Sequence, residues 1–182
     1  MKIDSLKIFA GRHFWIFIIT WVLMFITLVI LMWKRKKYPL NIFLLTLFTL
    51  LMAIAVGLIV SYYDSRVVLQ AFTVTACTFV ALTIFTVQSR IKFDGLGPFL
   101  FGATWVLIFV GIVQLFLPFY FWTHILITIA SGMIFTLYII YDTYQIWNRL
   151  SPEEYVVGAV ELYLDVINVF LSVLTLFGLG SE

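Results

Sequence analysis

The stretch that decides the fold is GLGPFLFGATWVLIFVGIVQLFLPFYFWTHILITIASGMIFTLYIIY, residues Gly95–Tyr141, which contains no Asp, Glu, Lys or Arg. A helix that crosses a bilayer needs about 20 apolar residues, so these 47 residues are long enough for two crossings. Pro118 stands near the middle of the stretch and is followed by an aromatic cluster typical of a membrane interface. The sequence therefore predicts two membrane-spanning helices here, with the break at Pro118.

The remaining apolar stretches extend the same pattern over the whole chain, because each is long enough for one crossing. With 11% charged residues, against roughly 25% in ordinary soluble domains, the composition excludes a soluble globule. No segment alternates apolar and polar residues as membrane β-strands do. We expect an all-α, polytopic membrane helix bundle that forms a single domain over residues 1–182. The six predicted transmembrane helices are about 14–33, 40–60, 67–88, 97–117, 121–147 and 157–179.

The distribution of Lys and Arg near the helix ends indicates how the chain crosses the membrane. The loops after the first, third and fifth predicted helices hold seven of these residues, and the opposite side holds four. Because cytoplasmic loops carry the excess of positive charge, loops 34–37 and 88–94 are expected to face the cytosol and loop 61–66 the lumen. The seven cations are Lys34, Arg35, Lys36, Lys37, Arg90, Lys92 and Arg149.

Polar side chains recur at helical spacing on the last two predicted helices, so each helix carries one polar stripe. Polar groups are costly against lipid, and the two stripes are therefore expected to face each other inside the bundle. The stripe of the fifth helix is Ser131, Tyr138, Asp142, Gln145 and Arg149, and that of the last helix is Glu161, Asp165, Asn168, Ser172 and Thr175.

Asp142 and Asp165 form the predicted functional site. If Gly158 permits a bend and the last crossing begins there, each aspartate lies seven residues, roughly 10 Å, from its helix end, at the same level. Two carboxyl groups in dry surroundings share a proton and so act as a pH sensor; once ionised, they offer oxygen ligands to a transient calcium ion. The residues expected to support the pair are Glu161, Asn168, Tyr138, Lys34 and Arg35. The alternative is a structural role, in which the aspartates reach water or pair with a basic side chain.

An intramembrane aspartyl protease is the alternative from another functional class. Such enzymes carry a Tyr-Asp pair on one helix and Gly-x-Gly-Asp on the next, and Tyr141-Asp142 fits the first half. The residues Leu162–Leu164 stand before Asp165, however, where glycines are needed to let a substrate strand approach. We therefore expect no enzymatic activity, no catalytic residue and no cofactor.

Six strings resemble the transmembrane Bax-inhibitor motif family, and within it the Lifeguard branch, which includes the Golgi anti-apoptotic proteins. The resemblance extends over nearly the whole chain. The strings are YPLN at Tyr38–Asn41, SYYDSRVVLQA at Ser61–Ala71, LTIFTVQS at Leu82–Ser89, FDGLGPFLFG at Phe93–Gly102, YIIYDT at Tyr138–Thr143 and LYLDVINVFLSVLTLF at Leu162–Phe177.

This resemblance implies a bundle whose final helix is central and wrapped by the others, in a chain that lacks the family's usual first helix. It implies a calcium leak from internal stores and protection from cell death, with the pore closed by a proton-dependent contact between Asp142 and Asp165. The expected location is the endoplasmic reticulum or Golgi membrane. The expected partners are the lipid bilayer, calcium as the permeant ion and other membrane proteins of cell-death or calcium-release pathways, with no nucleic acid. A non-conducting scaffold that regulates such pathways is the alternative.

Overall fold

The structure is a computed structural model that describes residues 14–116, 121–151 and 154–180. These residues form six α-helices and no strand. Their ends lie within two residues of the predicted bounds, while the predicted break at Pro118 lies outside the described residues. The helices are α1 (Phe14–Lys34), α2 (Leu40–Val60), α3 (Ser65–Gln88), α4 (Leu96–Phe116), α5 (Phe121–Asn148) and α6 (Tyr155–Leu179).

Five of these helices, α2 to α6, are long and apolar enough to cross a membrane. Helix α1 also contains an apolar segment, Ile18–Lys34. Helices satisfy their own backbone hydrogen bonds, which is what the bilayer interior demands of any spanning segment. The predicted all-α, polytopic membrane class is therefore confirmed.

The chain divides into two compact units. The first comprises Met1–Val68 with Ser151–Val157, and the second comprises Leu69–Leu150 with Gly158–Glu182. The single domain over residues 1–182 and the central position of the last helix stay predictions.

In the first unit, α1 and α2 pack against each other and are joined by a short turn built around Asn41. The Asn41 side chain is 2% exposed; its Nδ2 donates to the Arg35 carbonyl oxygen at 2.9 Å, and its Oδ1 accepts from the Ile42 amide at 2.9 Å. A buried amide needs such partners to offset its loss of hydration. Asn41 of the YPLN string thus fixes the backbone of the turn that carries the basic residues.

In the second unit, α5 and α6 run antiparallel and approach closely at two places. A Cβ atom placed on Gly132 of α5 would lie 3.2 Å from the Ser172 Cβ, and one placed on Gly158 of α6 would lie 2.8 Å from the Ile146 Cγ1. Small residues let membrane helices pack at short distance, where dispersion contacts hold them together. These two close approaches flank Asp142 on α5 and Asp165 on α6.

Candidate functional site

An open cleft of about 630 Å³ lies within the second unit, between α4, α5 and α6. Its walls combine apolar and aromatic groups with a few polar side chains, which is the usual make-up of a binding or conduction site. The residues that line it are Gly97, Pro98, Phe101, Thr104, Phe135, Tyr138, Tyr141, Asp142, Glu161, Leu164, Asp165 and Asn168.

The carboxyl groups of Asp142 and Asp165 form a hydrogen bond with each other in this cleft. The two residues are only 7% and 5% exposed. An ionised carboxylate can accept hydrogen bonds but cannot donate one, so this bond forms only when one member of the pair is protonated. The proximity predicted from the two polar stripes is thus found, whereas the role of the pair as a sensor or ion site stays a prediction.

The second carboxyl oxygen of Asp165, Oδ2, is one of several buried oxygen atoms without a hydrogen-bond partner among the described residues. A buried acceptor without a partner costs about 1 to 3 kcal/mol, so it is suited to bind something that the protein itself does not supply. A proton, a water molecule or a cation fits that requirement.

One wall of the cleft is held by a hydrogen-bonded chain from α5 to α4. The Thr104 hydroxyl donates its proton to the Leu100 carbonyl oxygen at 2.9 Å. Since that hydroxyl has only one proton, the Tyr138 hydroxyl must be the donor in the 2.7 Å contact between Tyr138 and Thr104. Tyr138 therefore anchors one side of the cleft to α4.

Replacing Tyr138 by Phe is expected to lower the free energy of unfolding by about 0.5 to 1.5 kcal/mol, because it removes one hydrogen bond while keeping the ring. Thermal unfolding of the purified protein in detergent measures the change. Tyr62→Phe is the matched control, since Tyr62 is 54% exposed. Equal melting temperatures for the two variants would contradict a stabilising contact at Tyr138.

A second cluster, not predicted from the sequence as part of the site, lies where α4 begins. Gln145 Nε2 donates to the Tyr141 hydroxyl at 2.7 Å, and a Cβ atom on Gly97 would lie 2.7 Å from that same hydroxyl oxygen. The Arg149 guanidinium contacts the Asp94 carboxylate at 2.7 Å and ties the start of α4 to the end of α5. The sequence signal for this cluster was Gly97 in FDGLGPFLFG, because a glycine often marks a place where another group approaches the backbone closely.

The supporting residues predicted from the sequence fall into two groups. Tyr138, Glu161 and Asn168 line the cleft; Asn168 Nδ2 donates to the Leu164 carbonyl oxygen at 2.8 Å, and Glu161 is exposed. Lys34 and Arg35 belong to the first unit, where Lys34 Nζ lies 4.8 Å from the centre of the Trp33 ring and Arg35 contacts Glu154 at 3.4 Å. Support of the aspartates by these two cations stays a prediction.

A resident metal centre would need three or more clustered His, Cys, Asp or Glu side chains. No such group occurs in residues 14–116, 121–151 and 154–180. Two aspartates alone supply too few ligands for stable calcium binding, which takes six to eight oxygens. Binding of calcium to Asp142 and Asp165 would therefore be transient and would require water or carbonyl ligands in addition.

The matching family model and several relatives of this chain point to the same protein family. The family described as Inhibitor of apoptosis-promoting Bax1 matches residues 4–182. The Golgi anti-apoptotic protein of Vaccinia virus (strain Lister) is 40% identical over 148 residues, which cover 81% of this chain and 62% of the relative. Protein lifeguard 4 of Mus musculus is 45% identical over 141 residues, covering 77% of this chain and 58% of the relative.

A third relative extends the match. Bax inhibitor 1 of Schizosaccharomyces pombe is 35% identical over 175 residues, which cover 96% of this chain and 66% of the relative. The matched part of the chain thus spans about three fifths of the length of the first two relatives and somewhat more of the third.

Proposed function

This chain belongs to the family of inhibitors of apoptosis-promoting Bax1, and from that premise we propose that it is a pH-sensitive calcium leak channel of internal membranes. Relatives named as anti-apoptotic proteins and Bax inhibitors support a role in apoptosis regulation. The observation that carries the finer proposal is the hydrogen-bonded pair of Asp142 and Asp165 in an open cleft between membrane helices.

The proposed gate is the contact between the two aspartates. With one proton on the pair, a charge-assisted hydrogen bond holds α5 against α6. When that proton is lost, two unit charges about 4 Å apart repel with about 4 kcal/mol at an effective dielectric constant near 20, which exceeds the 1.5 to 3 kcal/mol of the bond. Deprotonation thus favours separation of the helices, and it leaves carboxylate oxygens that attract a hard divalent cation.

The proposed location is the Golgi or endoplasmic reticulum membrane. The Golgi is favoured by the name of the Vaccinia virus relative, a Golgi anti-apoptotic protein. Calcium is the permeant ion in this proposal, and neither a cofactor nor an enzymatic step is part of it. Other membrane proteins of cell-death or calcium-release pathways are further candidate partners.

Calcium flux from liposomes that contain the purified chain tests the proposal. Flux is expected to depend on pH between about 6 and 8, the range in which paired carboxyl groups in dry surroundings commonly exchange a proton. Calcium flux should be lowest at the pH values at which the aspartate pair holds a single proton. Liposomes that leak no more calcium than protein-free ones would refute the channel and favour the non-conducting scaffold. Cleavage of a reporter membrane helix would instead favour the protease.

The orientation of the chain gives a separate prediction. With Cys77 replaced, a single cysteine at position 36 should react with a membrane-impermeant reagent only from the cytosolic side, because the loops with seven cations are expected there. Labelling from the lumen would invert the orientation and place the aspartate pair nearer the other membrane surface.

A further inference from the structure

We propose that the basic turn between α1 and α2, residues Lys34–Lys37, is a binding surface for the phosphate headgroups of anionic lipids. The proposal concerns the first unit and does not depend on calcium conduction. Four consecutive cations stand at the point where one apolar helix ends and the next begins. Clusters of at least four Lys or Arg beside a membrane helix attract anionic headgroups, which lie at that same depth.

Two aromatic side chains flank the basic turn and set its depth in the membrane. Trp33 is 80% exposed and Tyr38 is 77% exposed, although both rings are large and partly apolar. Exposed Trp and Tyr rings of membrane proteins are enriched at the level of the headgroups. Lys34 Nζ lies 4.8 Å from the centre of the Trp33 ring, so at least one cation shares that level.

The backbone of the turn is held in place by hydrogen bonds. The Asn41 side chain binds the Arg35 carbonyl oxygen, and the Lys37 amide donates to the Lys34 carbonyl oxygen at 2.8 Å. The Arg35 and Lys36 side chains remain 43% and 54% exposed. A fixed backbone with exposed cationic ends costs less conformational entropy on binding than a flexible tail does.

The balance of charge leaves the turn positive. The Glu154 carboxylate contacts Arg35 at 3.4 Å and Lys36 at 3.5 Å. This contacting carboxylate offsets one of the four positive charges of the turn. Phosphate groups of lipids, rather than a second protein, fit this surplus because the cations lie directly at the end of a membrane helix.

Quenching of tryptophan fluorescence by brominated lipids tests the proposal. The full chain is reconstituted in phosphatidylcholine vesicles that contain brominated phosphatidylserine or, at equal mole fraction, brominated phosphatidylcholine. The difference between the parent and Trp33→Phe isolates the emission of Trp33. We expect stronger quenching of that emission by the anionic lipid, and a weaker preference at high salt.

The decisive variant is Lys36→Gln with Lys37→Gln. It should lower the preference for phosphatidylserine about 25-fold, since each of the two cations near an anionic surface contributes about a fivefold factor. The control is Arg90→Gln with Lys92→Gln. Each double variant leaves five cations on the predicted cytosolic side and four on the predicted lumenal side. The two variants therefore have the same charge bias for orientation in the membrane. Near-UV circular dichroism and the melting temperature show whether each variant is folded.

Three outcomes would overturn the proposal. Equal quenching by the two brominated lipids would show no selectivity for the anionic headgroup. Equal loss of preference in both double variants would assign the effect to general surface charge. Displacement of the lipid by millimolar inorganic phosphate would show a site for a free anion instead of a lipid surface.

Discussion

Replacing Asp165 by Asn is expected to abolish the pH dependence of calcium flux. Asn has nearly the same volume as Asp and still forms hydrogen bonds, but it neither titrates nor carries charge. The new amide group would still contact Asp142, and the proton-sharing pair would be gone. Flux of the variant in liposomes should therefore stay constant between about pH 6 and 8, where the parent responds.

The matched control is Glu161→Gln, which also turns a carboxylate into an amide in the same cleft. Glu161 is exposed and lies one helical turn from Asp165, so its loss should only modulate the flux. An Asp165→Asn protein that responds to pH like the parent would refute Asp165 as the sensor. A flat profile in both variants would instead show that the charge of the whole cleft, and not the pair, sets the response.

The helices were predictable because the bilayer fixes the length of a spanning helix and penalises charge within it. The same penalty made the meeting of Asp142 and Asp165 predictable. Two acidic side chains on neighbouring apolar helices, at matching depth and on stripes of helical period, avoid lipid by turning toward each other. In the structure they share a hydrogen bond.

The contacts of α4 with α5 could not be predicted in the same way. Lipid is as apolar as leucine, so an apolar helix gains no hydrophobic energy by turning one particular face toward its neighbour. The sequence therefore carries no periodic signal for the contact of Tyr138 with Thr104 or of Tyr141 with Gly97. Such pairs depend on local shape and on single hydrogen bonds.

The contacts made by the cations at the end of α1 could not be predicted from the sequence, for a different reason. The structure shows Arg35 beside Glu154 and Lys34 over Trp33, while support of the aspartates by these cations stays a prediction. Long, flexible side chains pair with whichever group the local backbone brings near, and spacing along the sequence does not encode that choice. The acidic partner lies 119 positions away in the sequence.

Gly158 has a packing role that was not predicted from the sequence. The sequence suggested that this glycine permits a bend, with the crossing beginning there. In the structure α6 is a single helix from Tyr155, and Gly158 is buried where a Cβ atom would lie 2.8 Å from Ile146 Cγ1 and 2.9 Å from Leu150 Cδ2. The absence of a side chain therefore lets α5 and α6 approach near the aspartate pair.

Replacing Gly158 by Leu is accordingly expected to destabilise the protein by about 1 to 3 kcal/mol or more, the usual cost of overpacking a filled contact. Gly111→Leu is the control, because Gly111 is exposed on α4 and a Cβ atom there meets no described atom within 4 Å. Thermal unfolding in detergent should show a lower melting temperature for Gly158→Leu and little change for Gly111→Leu. Since a leucine side chain at this position also pushes apart the helices that carry Asp142 and Asp165, the same variant should weaken the pH dependence of calcium flux. Parent-like stability and flux would mean that α5 and α6 do not pack closely at Gly158.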